Sequence, residues 1–183
     1  MTPSQFYKRH RLPDEVMTQG LRPMELDDVE AVTAALNKHL ADNYVMHIKF
    51  TPEEVQHFFM RREQVVYSWL VRDAEGTVTD FFSFYALNSS VLQHETYDKI
   101  FAAYAFYNFC QDNDQERLRQ IFKDGLILAN QLEFDVFNMT EVLKNHLVKG
   151  DLLFKPGDGR LHHYLYNWRV KTMKCSEIGI VLV

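Results

Sequence analysis

Three stretches rich in aromatic and β-branched residues follow one another between Val65 and Phe109, and they leave little freedom of fold. Val65-Val66-Tyr67-Ser68-Trp69-Leu70-Val71 favours a strand along its whole length, Asp73-Ala74-Glu75-Gly76 is a turn, and Thr77 to Leu87 resumes as an aromatic strand. The pair reads as a hairpin. Asn88-Ser89-Ser90 breaks it, and Ile100 to Phe109 supplies a third strand of the same sheet. Phe82, Phe84, Tyr104 and Phe106 fall at period two, which suits core and cleft wall better than a cofactor box.

Helices flank this sheet. Asp27 or Asp28 caps one whose apolar face is Val29, Val32, Leu36 and Leu40. Thr51-Pro52-Glu53-Glu54 combines a threonine cap, proline at the first helical position and a capping box, and directs Val55, Phe58 and Phe59 to the core. The longest helix runs from Gln115 to Glu133, with Gly125 as a site of close approach. Residues 1–20 read as an extended arm, and 21–183 as the packed domain. Leu21 to Met24 is a short extended piece before the first helix, because the residue before a proline is pushed toward β. After the long helix come a short buried strand, Phe134 to Asn138, a helix from about Thr140 to Lys149, and a loop through Gly157-Asp158-Gly159. A strand from Leu161 to Trp168 and a closing strand from Ile178 to Val183 complete the order.

The closing run Gly179-Ile180-Val181-Leu182-Val183 carries no polar tail. Each large apolar side chain left in water costs roughly 1.5–3 kcal/mol. A buried strand is therefore expected, carrying the α-carboxylate of Val183 into the protein.

A net charge of −5 with scattered Lys and Arg excludes a nucleic-acid field. No apolar stretch is long enough to span a membrane, and the first residues lack the apolar segment of a secretory signal. Thr2 in place of glycine means that the chain is not itself an N-myristoylation substrate. Cys110 and Cys175 have no metal spacing and suggest a reducing compartment, so a cytoplasmic location is expected. Adjacent His162 and His163 on a strand point to opposite faces and cannot chelate one ion, and no metal site is expected.

This order of elements predicts an α/β (α+β) fold, a central mixed, mostly antiparallel sheet flanked by helices. It resembles the acyl-CoA-dependent acyltransferase fold called GNAT. That fold holds a CoA pyrophosphate on a glycine-rich turn at the start of its long helix. Here the junction, Asn108 to Glu116, has no glycine and three acids, Asp112, Asp114 and Glu116. It caps a helix well and repels a pyrophosphate, so no cofactor is expected in this chain.

Six ordered blocks carry a closer resemblance. They are Gly20-Leu21-Arg22-Pro23-Met24, Val78 to Tyr85, Ala102 to Asn108, Phe134-Asp135-Val136-Phe137-Asn138, Gly157-Asp158-Gly159 and Tyr164-Leu165-Tyr166-Asn167-Trp168. Together they resemble the C-terminal half of eukaryotic N-myristoyltransferase (glycylpeptide N-tetradecanoyltransferase). The resemblance implies two GNAT-like halves, the N-terminal one holding the co-substrate myristoyl-CoA and the C-terminal one building most of the groove for an N-terminal-glycine peptide. It gives the Val183 carboxylate the role of base toward the glycine ammonium. Peptide contacts carry over to Ser89, Tyr104, Asp158, Gly159, Leu161 and Leu182. A free α-carboxyl titrates near ~3.5 and a terminal amine near ~8, so the transfer requires burial to raise the first.

The sequence departs from the family at Lys155-Pro156, where a glycine-containing loop is usual, at Asn88, where proline precedes the serine, and at Phe109-Cys110. These departures bear on peptide specificity more than on fold. Without its N-terminal half the chain is expected to be inactive and to self-associate. Two other readings stay open: a peptide-binding or regulatory half-module without catalysis, and an atypical GNAT N-acetyltransferase.

Overall fold

The computed structural model describes residues 2–92, 94, 96–157 and 159–181. In chain order its elements are α1 (Pro3–His10), β1 (Arg22–Pro23), α2 (Val29–Asn43), β2 (Met46–His47), α3 (Pro52–Phe59), β3 (Val66–Arg72), β4 (Val78–Ala86), β5 (Ser89–Ser90), β6 (Lys99–Ile100), β7 (Ala102–Phe109), α4 (Gln115–Gln131), β8 (Val136–Asn138) and β9 (Ile178–Gly179). The main sheet has the order β1-β3-β4-β7-β8. Its first three pairings are antiparallel, and β8 runs parallel to β7. The sheet is mixed and mostly antiparallel, as expected.

Strands with both faces covered read as near-continuous apolar runs, and β3 is buried from Val66 to Val71. One apolar cluster joins Val32, Leu36, Leu40, Val55 and Phe59 from α2 and α3 to Leu70, Phe81, Phe106 and Tyr107 of the sheet. The other joins Leu118, Ile121 and Phe122 of α4 to Tyr67, Trp69, Phe82 and Phe84. The helices thus lie on opposite faces. Phe82 and Phe84 serve the α4 face, whereas Phe106 serves the other, so the four period-two aromatics do not form one wall.

Two buried carboxylates tie helices to strands. Asp80 on β4, fully buried, takes a two-pronged ion pair from Arg117 at the start of α4, at 2.6 and 2.5 Å. Asp28, before α2, accepts from both Arg22 of β1 (2.7 and 2.8 Å) and Arg72 of β3 (2.7 Å). Asp27 or Asp28 was expected to cap α2; Asp28 stands at the cap position but makes no side-chain cap bond there, because the two guanidiniums and the Glu25 amide occupy it. Thr51 does form its capping box, with Pro52 at the first helical position. It directs Val55 and Phe59 inward but leaves Phe58 exposed.

Four other expectations are corrected. The arm is not extended throughout: Thr2 caps the helix Pro3–His10 with the same box, completed by Gln5. Beyond it, the backbone N–H groups of Met17 and Thr18 both donate to Asp124 of α4 at 2.9 Å. Thr140 to Lys149 is not one helix: Leu143 and Lys144 adopt left-handed φ of 54° and 66°, and only a single 3-10 turn, Asn145–Leu147, follows them. That segment rounds the sheet edge, sending Leu143 to the α2/α3 cluster and Val148 to the α4 cluster. Leu161 to Trp168 forms no strand; it is an irregular and largely exposed segment. The strand at Phe134 to Asn138 is shorter than expected, only Val136–Asn138, and Val136 is exposed.

Gly125 of α4 lies so close to the sheet that an added Cβ would overlap the Phe82 ring. Gly125→Ala should cost about 1–3 kcal/mol by overpacking, seen as a lower urea midpoint. Phe82→Leu in the same chain should recover part of that loss, which an independent pair of sites would not show. The paired guanidiniums hold the Asp28 carboxyl down at about 2. Its folded value lies below the unfolded ~3.9, so its stabilisation is present above that pH and is lost as pH falls through about 2. Asp28→Asn should remove about 2–3 kcal/mol at neutral pH and abolish that acid-dependent part of the unfolding curve.

Candidate functional site

The site begins with an irregularity in β7. Phe82 pairs with Asn108 and Phe84 with Ala105, which leaves Ser83 opposite two residues, Phe106 and Tyr107. This is a β-bulge. It overrides the alternation of a regular strand and turns both rings to the α2/α3 face. The Ser83 hydroxyl closes the gap in the ladder: it donates to the Tyr107 carbonyl at 2.8 Å and accepts from the Tyr107 N–H at 3.1 Å.

Tyr107 then packs edge-on against Phe50 and Phe59, with centroids 5.1 and 5.8 Å apart. Its hydroxyl accepts a hydrogen bond from the Val181 N–H at 3.3 Å. Burial pushes the Tyr107 phenol up, so it stays protonated at neutral pH. On the same face Tyr85 lies directly across from Tyr104, their rings stacked at 5.4 Å, and Tyr85 meets Phe106 edge-on at 5.7 Å. Burial and the neighbouring Tyr104 push the Tyr85 phenol up.

The C-terminal segment is held on this face. Ile178 and Gly179 pair in parallel with Met46 and His47 of β2, so the closing strand forms a separate two-stranded ladder and does not extend the main sheet. Gly179 sits against the Tyr44 ring, where a Cβ would approach to 2.6 Å. Val181 is buried in the α2/α3 cluster.

Of the residues expected to contact peptide, Ser89 starts the short strand just beyond β4 and pairs with Ile100. Tyr104 lies at the same end of the sheet, because Ala86 pairs with Ala103. Gly159 and Leu161 are on an exposed loop, with open space around Gly159. Asp158, Leu182 and Val183 lie outside the described residues. Tyr85, Ser83 and Tyr107 were missed from sequence. The cross-strand partner of Tyr104 could have been found from the hairpin register, whereas Tyr107 could not, since alternation places it on the wrong face. A groove of about 270 Å³ lined by Trp69, Leu128 and Leu132 lies on the α4 side, away from Tyr104.

The junction between β7 and α4 is filled by the protein itself. Asp114 caps α4, its carboxylate accepting from the Arg117 N–H at 2.7 Å. The Cys110 thiol donates to the Asp114 carbonyl at 3.2 Å, and burial pushes it up to about 12, which removes it as a nucleophile. His39 stacks on Phe109 at 5.2 Å, and burial pushes it down to about 4. Among the described residues no group of His, Cys, Asp and Glu is arranged to hold a metal.

A family model described as the C-terminal domain of myristoyl-CoA:protein N-myristoyltransferase matches residues 1–181. The chain belongs to that family. It is 42% identical over 185 residues to glycylpeptide N-tetradecanoyltransferase 1 of Arabidopsis thaliana, covering all of this chain and 42% of the relative. It is 40% identical over 182 residues to glycylpeptide N-tetradecanoyltransferase 2 of Danio rerio, covering all of this chain and 36% of the relative. The chain thus spans about two fifths of the length of these curated relatives. Among solved structures, Saccharomyces cerevisiae N-myristoyltransferase with bound myristoyl-CoA matches with a TM-score of 0.80 and 30% identity, over 86% of this chain and 40% of that one. A Clostridium acetobutylicum protein described as a predicted acetyltransferase shares the fold alone, at 9% identity, a TM-score of 0.62 and coverage of 79% of this chain and 94% of that one.

The folded His39 value of about 4 lies below the unfolded value of ~6.5, so protons favour the unfolded chain between the two. Stability should be full above pH ~6.5 and decline as pH falls toward about 4. His39→Phe, which keeps the stack on Phe109, should flatten the urea midpoint over that window while leaving the decline below pH ~4 to Asp28.

Proposed function

We propose that this chain is the peptide-binding half of a glycylpeptide N-tetradecanoyltransferase, which works with an N-terminal half that holds myristoyl-CoA. The observation that carries this reading is the family match over residues 1–181, in relatives more than twice as long as this chain. Two structural features support the division. The α4 N-terminus, where the GNAT-like fold would take a pyrophosphate, is closed by the Asp114 cap and flanked by Asp112 and Glu116. The segment from Leu161 to Val170 exposes Tyr164, Tyr166 and Trp168 at 87%, 87% and 77%, a strip of aromatic surface suited to burial against another part of the enzyme. Left uncovered, the same strip favours self-association of the isolated chain.

In this reading the substrate's N-terminal glycine enters a groove walled by Tyr104 and Ser89 and continued by Asp158, Gly159, Leu161 and Leu182. The Val183 carboxylate takes a proton from the glycine ammonium. The freed amine attacks the thioester carbonyl of myristoyl-CoA; the new N–C bond forms, the C–S bond breaks, and CoA leaves as the thiol after taking the second amine proton. Oxyanion donors come from the other half. The two cysteines are free, which suits a cytoplasmic enzyme, and no described helix is long and apolar enough to cross a membrane.

With myristoyl-CoA and a Gly-initiated octapeptide, the chain joined to its N-terminal half should yield peptide heavier by one myristoyl group, read by mass spectrometry, and the chain alone should yield none. Product from the chain alone would overturn the division of labour. In the joined enzyme, one extra residue after Val183 should lower kcat by about 10²–10⁴-fold, the range for loss of a general base. Val183→Leu, which keeps the carboxylate in place, should stay near the parent rate.

A further inference from the structure

The C-terminal segment has two kinds of anchor. It is packed by burial of the Val181 side chain and by close approach of the Gly179 backbone to the Tyr44 ring. Its backbone is held by the β2 pairing and, nearest the terminus among the described residues, by the bond from the Val181 N–H to the Tyr107 hydroxyl. That hydroxyl reaches Val181 only because the β7 bulge places Tyr107 on the same face as Phe106. A regular strand would send it to the α4 side.

We infer that Tyr107 is a positioning residue for acyl transfer: its hydroxyl, aimed by the bulge that Ser83 closes, fixes Val181 and thereby limits where the carboxylate two residues further on can lie. This rests on the reading of Val183 as the base. Chain geometry gives the limit, since two residues span at most about 7 Å from a fixed Cα. The same bulge carries Phe106, which touches Tyr85 opposite Tyr104. One irregularity therefore places both Phe106 against Tyr85 and the Tyr107 hydroxyl against Val181. A displacement of about 1 Å between reacting groups is enough to cost up to 10²-fold in rate, so loosening Val181 should show in turnover before it shows in stability.

The test uses the chain joined to its N-terminal half and compares the parent, Tyr107→Phe and a deletion of Val183. Tyr107→Phe keeps the ring contacts with Phe50 and Phe59 and removes only the hydroxyl. It should lower kcat by about 10–100-fold, leave KM for myristoyl-CoA unchanged, and lower Tm by no more than about 2–4 °C. Exchange of the Val181 amide with deuterium should quicken. The acid limb of kcat/KM should move to lower pH, because a loosened carboxylate is better solvated; a purely structural role for Tyr107 would not move that limb. If the Val183 deletion is inactive while Tyr107→Phe keeps the parent kcat, acid limb and Val181 exchange, the positioning role is overturned and the base stands. If the Val183 deletion turns over normally, the base reading falls and takes this inference with it.

Discussion

The hydroxyl of Ser83 completes the hydrogen bonding at the one point where β4 and β7 fall out of register. Two backbone groups of Tyr107 would otherwise be buried without partners there, each costing about 1–3 kcal/mol; instead both are bonded to a single side-chain oxygen. With the gap closed, the bulge can persist in the middle of the sheet, and consecutive aromatic residues can face the same way. Phe59, Phe81, Phe106 and Tyr107 then interlock beneath α3 with centroids 4.9 to 5.8 Å apart. The pocket that receives Val181 is a by-product of this packing.

Around that point the sheet is braced from both sides by charge. Asp80 lies under α4 and Asp28 beside α2, and each meets guanidinium groups that remain partly in water. A buried carboxylate with one partner removed is strongly destabilising, so these contacts restrict how each helix can slide on the sheet. Acid sensitivity is distributed: Asp28, held by its guanidiniums, titrates below the range in which the buried His39 does.

Much of the fold was legible in the sequence where local and global signals agree. The Thr51 capping box, the hairpin about Asp73 to Gly76, the third aromatic strand and the long helix with its close approach at Gly125 all have a local cause that the tertiary structure keeps. The box at Thr2 to Gln5 was just as local and was masked by the few apolar residues around it. Thr140 to Lys149 misleads because its apolar residues serve two faces of the sheet in turn, so their spacing is set by the path round the edge and not by a helix. Leu161 to Trp168 alternates as a strand would, yet a strand needs a neighbour, and none of the described residues pairs with it. Around the candidate site, the place of Tyr104 on the third strand was legible and the facing of Tyr107 was not, because a bulge has no reliable signal in a single sequence.

The clamp of Asp124 on Met17 and Thr18 works on a different principle. It reads the main chain and ignores the side chains, and Gln131 does the same when its amide donates to the Asp14 carbonyl at 3.0 Å. The course of this part of the arm is therefore written in α4 and not in the arm. The clamp itself accepts any residue at 17 and 18 with one exception: proline, which lacks the N–H that Asp124 grips. A stretch that looks unconstrained in composition is thus constrained in a single atom type.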